Sequence, residues 1–464
     1  MSPAATSPQK TDRIVWWAHV ARASAAVVVL FARFMVEFRE QKSLVTLFTF
    51  ASPIPAADIP ASFAYHAYQW PKEHLYIDAG SAAVGMFFML SGFVIPFALE
   101  RRTLGAFGLR RVLRVYPTLW AATALSILFV WLTTRGNPFP LDRAQVITSG
   151  TLVAQYGGHN WIDPSYWTIP IEELFYVSAA LLAASRLLRR PAALVTVAAL
   201  LTAVSLWAGR ILPSPGEVPD TLFWTRFWIG RNVGFMIFIY CGVSLHMLYR
   251  GFWSKRTFAV VAASIIGLFF IVTHHGPFQR PYIPGDQGTT YFNSFVLGFA
   301  IFLIFYLIGN RIPRSAPVQI LGNISYEVYL TATVIGWTTL AWLTNQIGYF
   351  WALPFAAMTV LVVAYGLYRL VEKPTYDLAQ RITNQARWRT KTSWSDEPRA
   401  RRRRRARRGR PGYVPEWDPD RAPEPVPEPA AATLGLHAPA PDGNGRTPDG
   451  HVGPAEQTEP DPTG

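Results

Sequence analysis

Gly80-Ser-Ala-Ala-Val-Gly-Met-Phe-Phe-Met-Leu-Ser-Gly-Phe-Val-Ile-Pro-Phe-Ala-Leu99 runs for twenty residues without one charged side chain. As a helix such a run rises about 30 Å, the thickness of a bilayer's hydrocarbon core. Comparable runs recur at Ile14–Phe38, Val115–Thr134, Tyr166–Leu188, Pro191–Leu212, Phe227–Leu248, Thr257–Val272, Tyr291–Ile308, Val318–Leu343 and Tyr349–Leu370. Together they predict an all-α polytopic membrane protein of about ten transmembrane helices.

The composition agrees. Of 464 residues, 51% are hydrophobic and 16% charged, against roughly 25% charged in a typical soluble chain. The apolar run at Ile14–Phe38 is too long for a signal-peptide core and reads as a retained helix. A lone cysteine, Cys241, excludes an intrachain disulfide. The net charge of +14 would suggest nucleic acid in a soluble protein. Here most cations flank apolar spans or form one arginine run, so topology and anionic lipid explain them, and no specific nucleic acid is expected.

The cations alternate. Arg101, Arg102, Arg110, Arg111 and Arg114 lie between the second and third runs; Arg189 and Arg190, then Arg250, Lys255 and Arg256, then Arg311 and Arg314, mark later connections. The intervening connections carry few, and Asn345 to Gly348 none. By the positive-inside rule both termini are expected in the cytoplasm of a cell with its inner (plasma) membrane crossed many times. Residues 1–13 form a cytoplasmic N-terminal segment, 14–380 the transmembrane domain, and 381–464 a disordered tail, basic and then rich in Pro and acidic residues. Nine arginines between Arg399 and Arg410 are suited to anionic lipid at the inner leaflet.

Four segments bear on chemistry. In Phe107-Gly-Leu-Arg110-Arg111-Val-Leu-Arg114-Val-Tyr116-Pro117, Arg111 and Arg114 lie three apart and share a helix face. Guanidinium forks bind phosphate bidentately, although positive-inside anchors would look the same. In Trp167-Thr-Ile-Pro-Ile-Glu172-Glu173-Leu-Phe175-Tyr176, two carboxylates enter an apolar run. Ionisable groups at that depth face a cavity or a partner, so Glu172 either takes part in proton transfer or pairs with Arg22, Arg33 or Arg231. Ser91-Gly92 reads as a close-packing pair. Glu327, in Gly322-Asn-Ile-Ser325-Tyr326-Glu327-Val-Tyr329-Leu330, is expected to pair with a basic loop residue.

In combination and order, these segments resemble the integral-membrane acyltransferases of family three, which acylate sugars of surface polysaccharides, glycolipids and antibiotics. The phrases that carry the resemblance are Phe87–Phe93, Arg110–Pro117, Trp167–Tyr176 and Ile324–Leu330, with Val371-Glu372-Lys373-Pro374 as the closing phrase. The resemblance implies ten spans and an activity that moves an acyl group from acyl-coenzyme A to a hydroxyl of a cell-envelope glycan or glycolipid. It implies Arg110, Arg111 and Arg114 at the coenzyme A phosphates, acyl-coenzyme A as co-substrate, and neither a resident cofactor nor a metal.

One departure stands out. In the family frame Ala21-Arg22-Ala-Ser-Ala25-Ala-Val-Val-Val29-Leu-Phe-Ala-Arg33, Arg33 occupies the position of a histidine thought to activate the acceptor. An arginine stays protonated near neutral pH and cannot act as base. His19 lies about 21 Å along the helix from Arg33 and cannot substitute in place. Glu172 is then the candidate base, with Arg33 as a candidate stabiliser of developing negative charge. The alternative is a non-catalytic relative of the same fold, acting as a scaffold or a lipid or glycan translocation factor. A transporter is disfavoured by the lack of an evident inverted repeat.

Overall fold

A computed structural model describes residues 9–51, 61–134, 142–210, 220–279 and 287–385. The chain divides into Met1–Arg421 and Ala422–Gly464. The second unit lies outside the described residues, as do residues 1–8 and the arginine run expected to meet lipid. Of the tail expected to be disordered from residue 381, residues 381–385 instead continue a helix, Lys373–Gln385, and the rest falls outside the described residues.

Every regular element among the described residues is a helix. From the amino end, α1 (Trp16–Glu40) leads through the shorter α2 (Phe63–Leu75) to α3 (Ala79–Arg101), α4 (Leu104–Thr134) and α5 (Pro164–Ala184). There follow α6 (Pro191–Gly209), α7 (Thr221–Tyr249), α8 (Lys255–His275) and α9 (Gln287–Ile308). Next come three short helices, α10 (Ala316–Asn323), α11 (Ser325–Thr331) and α12 (Val334–Ile347), and finally α13 (Tyr349–Asn384). Among the described residues, nine of these helices are long and apolar enough to cross a membrane.

The run expected as one helix at Val318–Leu343 is thus divided into α10, α11 and α12. Hydropathy has no sensitivity to this break, because the run stays apolar through it. The second break, at Thr333, is held by polar contacts from a distant segment. Asp163 Oδ2 accepts the Val334 N–H at 2.9 Å, Asp163 Oδ1 accepts that of Ser165 at 2.8 Å, and the Ser165 hydroxyl bonds to that of Thr333. Broken backbone at membrane depth is tolerated where protein or a cavity satisfies it, and Asp163 supplies that here.

The surface has the polarity of a membrane protein. Trp120, Val177, Leu200, Val260, Leu307 and Trp351 are exposed on the spans, whereas Arg110, Arg111, Arg231, Glu327 and Glu372 are buried. An apolar exterior around a charged interior is the arrangement lipid imposes. The protein is a polytopic membrane protein.

Two glycines allow α3 and α7 to cross in contact. A Cβ on Gly92 would stand 2.0 Å from the Ile239 carbonyl oxygen, and one on Gly242 would stand 2.2 Å from that of Met89. Close approach of this kind is what small residues allow between membrane helices. Phe88 of α3, Phe235 of α7 and Phe295 of α9 then interlock, with ring centroids 5.4 to 6.4 Å apart. Gly108, on α4, has nothing within 4 Å of such a Cβ. Gly92→Ala should therefore lower stability by about 1–3 kcal/mol, and Gly108→Ala should leave it unchanged or raise it by up to about 1 kcal/mol. Thermal unfolding of the two variants in one detergent checks the contrast.

Candidate active site

Two chambers lie within the bundle, and Val84 and Tyr329 line both of them. The smaller, of about 110 Å³, is walled by α1, α3, α4, α5 and α11. It collects Arg22, Arg111, Arg114 and Glu172 with the hydroxyls of Ser91, Tyr176 and Tyr326, against an apolar wall that includes Phe87, Phe88 and Val94.

Helical spacing explains much of this. Arg111 and Arg114 face one chamber because they are three apart on α4. The Arg111 guanidinium carbon lies 5.3 Å from the centre of the Tyr176 ring and 5.6 Å from that of Phe107. Arg114 Nε donates to Glu372 Oε1 at 2.9 Å. Glu172 and Tyr176 stand one turn apart on α5, and the Tyr176 hydroxyl donates to Glu172 Oε2 at 2.7 Å. Ser91 Oγ donates to Glu172 Oε1 at 3.1 Å. Arg22 faces the same space and makes no hydrogen bond among the described residues. Three guanidinium groups and one carboxylate, that of Glu172, line this confined site, with Glu372 holding Arg114 from behind. Such a site favours an anion or an oxygen that becomes negative.

The larger chamber measures about 660 Å³ and is lined by Arg33, Glu37, Gln69, Lys72, Glu73, Asp78 and Ser81, together with the rings of Trp167, Tyr291 and Tyr329. Arg33 and Glu37 belong to a π turn at Ala32–Glu37 inside α1, and their side chains form an ion pair. Lys72 pairs with Glu40 at 3.0 Å, and the Tyr68 hydroxyl donates to Asp78 Oδ2 at 2.7 Å. This is a polar, aromatic-walled space with its cations already matched by carboxylates.

Residues 15–369 match a family model described as an acyltransferase domain. This chain belongs to acyltransferase family 3. It is 23% identical over 342 residues to an O-acetyl transferase of Shigella phage Sf6, an alignment covering 70% of this chain and 94% of the relative. No solved structure matches it significantly. Acyl transfer at a membrane is the activity the family shares.

Within this acyltransferase the expected residues separate. Arg111, Arg114 and Glu172 converge in the smaller chamber, while Arg33 lines the larger one. Arg110 lines neither: its Nε donates to Thr383 Oγ1 at 2.9 Å and its Nη2 to Asn384 Oδ1 at 3.3 Å, which ties α4 to the end of α13. Of the pair Ser91-Gly92, the glycine packs as expected but the serine binds Glu172 and faces the chamber. Glu327 is fully buried beside Glu372 in the field of Arg114 rather than paired at the basic loop. Arg231 is caged by aromatic rings and donates to the Tyr291 hydroxyl at 3.3 Å, so it is no partner of Glu172.

Three contributors escaped the sequence reading. Arg22 was visible as a candidate partner of Glu172 and within a family frame, but not as an anion-holding group, and Glu372 only as part of a closing phrase. Asp163 had a local signal, since Asp before Pro164 is a helix-start signature, but nothing local reveals its reach to Val334.

Arg114→Ala and Glu372→Ala should each destabilise the protein, by about 3 kcal/mol when the partner charge is left buried alone. The double variant should lose less than the sum, with a coupling of about 0.5–3 kcal/mol. Denaturation midpoints of the four proteins complete that cycle.

Proposed function

We propose that this chain transfers an acyl group from acyl-coenzyme A to a hydroxyl of a cell-envelope glycan or glycolipid. The observation that carries this reading is the convergence of Arg22, Arg111 and Arg114 with Glu172 in one chamber beside a second, polar chamber. The face bearing Arg101, Arg189, Arg250 and Arg311 is taken as cytoplasmic in the inner membrane, with both termini on that side. Acyl-coenzyme A enters there, its anionic oxygens held by Arg111 and Arg114 with Arg22. Arg110 fixes the adjoining end of α13.

The larger chamber takes the acceptor. Its aromatic rings suit the apolar faces of sugars, and its carboxylates and amides suit hydroxyls. Glu172, accepting from Ser91 and Tyr176, organises the hydroxyl that attacks and takes its proton. Arg33, held by Glu37, stabilises negative charge without taking a proton. The arginine run at Arg399–Arg410 is suited to anionic lipid at the same membrane face.

The name of the phage relative makes acetyl-coenzyme A the first donor to test. Purified protein in detergent, given acetyl-coenzyme A and envelope glycans, should release free thiol. Arg111→Ala should raise KM for the donor about tenfold or more, as expected for loss of a charge-assisted bond. Absence of thiol release with a series of acyl donors would overturn the enzymatic reading. It would favour the non-catalytic alternative, which the arginine at position 33 already supports. Arg33→His separates the two further: increased turnover marks an enzyme limited by its missing histidine.

A further inference from the structure

The two chambers meet at one aromatic side chain. Tyr329 lies on α11, the short helix between the two breaks, and its ring packs edge-on against Phe87 with centroids 6.1 Å apart. It is 7% exposed and lines the arginine chamber on one side and the larger chamber on the other. Its hydroxyl oxygen accepts a hydrogen bond from Thr168 Oγ1 at 3.2 Å. The Tyr329 proton then has no acceptor among the described residues. A hydroxyl that accepts one bond is polarised into a better donor for the next. Thr168 lies in the opening turns of α5, the helix of Glu172, and it lines the arginine chamber too.

We propose that Tyr329 is a catalytic hydrogen-bond donor at the point where the acyl carbon passes from donor to acceptor. The inference rests on the acyl-transfer reading above and adds the residue that holds the reacting carbonyl oxygen. The acceptor hydroxyl oxygen, arriving from the larger chamber, forms a bond to the thioester carbon. Its proton passes to Glu172. The carbonyl oxygen gains the negative charge and is held by the Tyr329 O–H, which keeps its proton. Collapse breaks the carbon–sulfur bond, and the departing thiolate takes the proton from Glu172, leaving ester and free coenzyme A.

Tyr329→Phe keeps the ring and removes the hydroxyl. In detergent, with acetyl-coenzyme A and the acceptor glycan, it should lower kcat about 10²–10³-fold, the usual effect of removing one donor to an oxyanion. KM for acetyl-coenzyme A, and the Kd of a non-reactive thioether analogue of it, should stay within about twofold of the parent values, which a merely structural defect would not spare. Thr168→Val, which removes the polarising donor and leaves Tyr329 intact, should lower kcat about tenfold with the same unchanged analogue binding. This second variant decides the matter if Tyr329→Phe does not fold. A kcat within about threefold of the parent for both variants overturns the role of Tyr329 while leaving the acyl-transfer reading intact. A parent protein that releases no thiol overturns both.

Discussion

Charge enclosed by an apolar exterior has to be answered by charge, and the interior of this protein is organised around that requirement. Arg114 on α4 meets Glu372 on α13, two residues 258 positions apart in sequence. Near the basic end of α3, Glu100 meets His246 of α7 at 3.4 Å and Arg250, just past the end of α7, at 2.9 Å. Each such contact fixes one helix against another through groups that lipid cannot satisfy. Buried ion pairs contribute little net stability against an apolar replacement, but breaking one leaves a stranded charge. Their effect is therefore to specify which helices adjoin, and the arginine chamber is a product of those choices.

Departures from regular helix do the fine placement. The π turn at Ala32–Glu37 brings Arg33 and Glu37 to the larger chamber, and the π turn at Tyr368–Glu372 ends on the carboxylate that holds Arg114. Insertions of one residue into a helix often occur where side chains must be re-aimed for function. The breaks on either side of α11 serve a related purpose. They turn a seven-residue helix so that Tyr326 and Tyr329 reach the arginine chamber. Asp163 makes the second break sustainable by accepting the Val334 N–H.

The spans were legible because their signal is local: twenty apolar residues need no knowledge of their neighbours. The grouping of Arg111 with Arg114 was legible for the same reason, since it follows from helical spacing. Ser91 was not, because its neighbour Gly92 offered a sufficient packing explanation and Glu172 lies 81 residues away. The division of Val318–Leu343 was hidden for a parallel reason. Asp163, which holds the second break, stands 171 residues from the N–H it accepts, and the run itself contains no helix breaker at Ala332-Thr333. The assignment of Arg33 and Glu172 to different chambers depends on which wall each helix presents, information that exists only once the helices are packed.

The manner in which the first π turn is secured has an evolutionary consequence. Trp337 Nε1 donates to the Arg33 carbonyl at 2.9 Å and the Tyr349 hydroxyl to that of Phe34 at 2.8 Å, so other helices grip the main chain there. The path of the backbone is thereby decoupled from the identity of residue 33. Position 33 behaves as a socket whose plug can be exchanged while the main chain around it stays held.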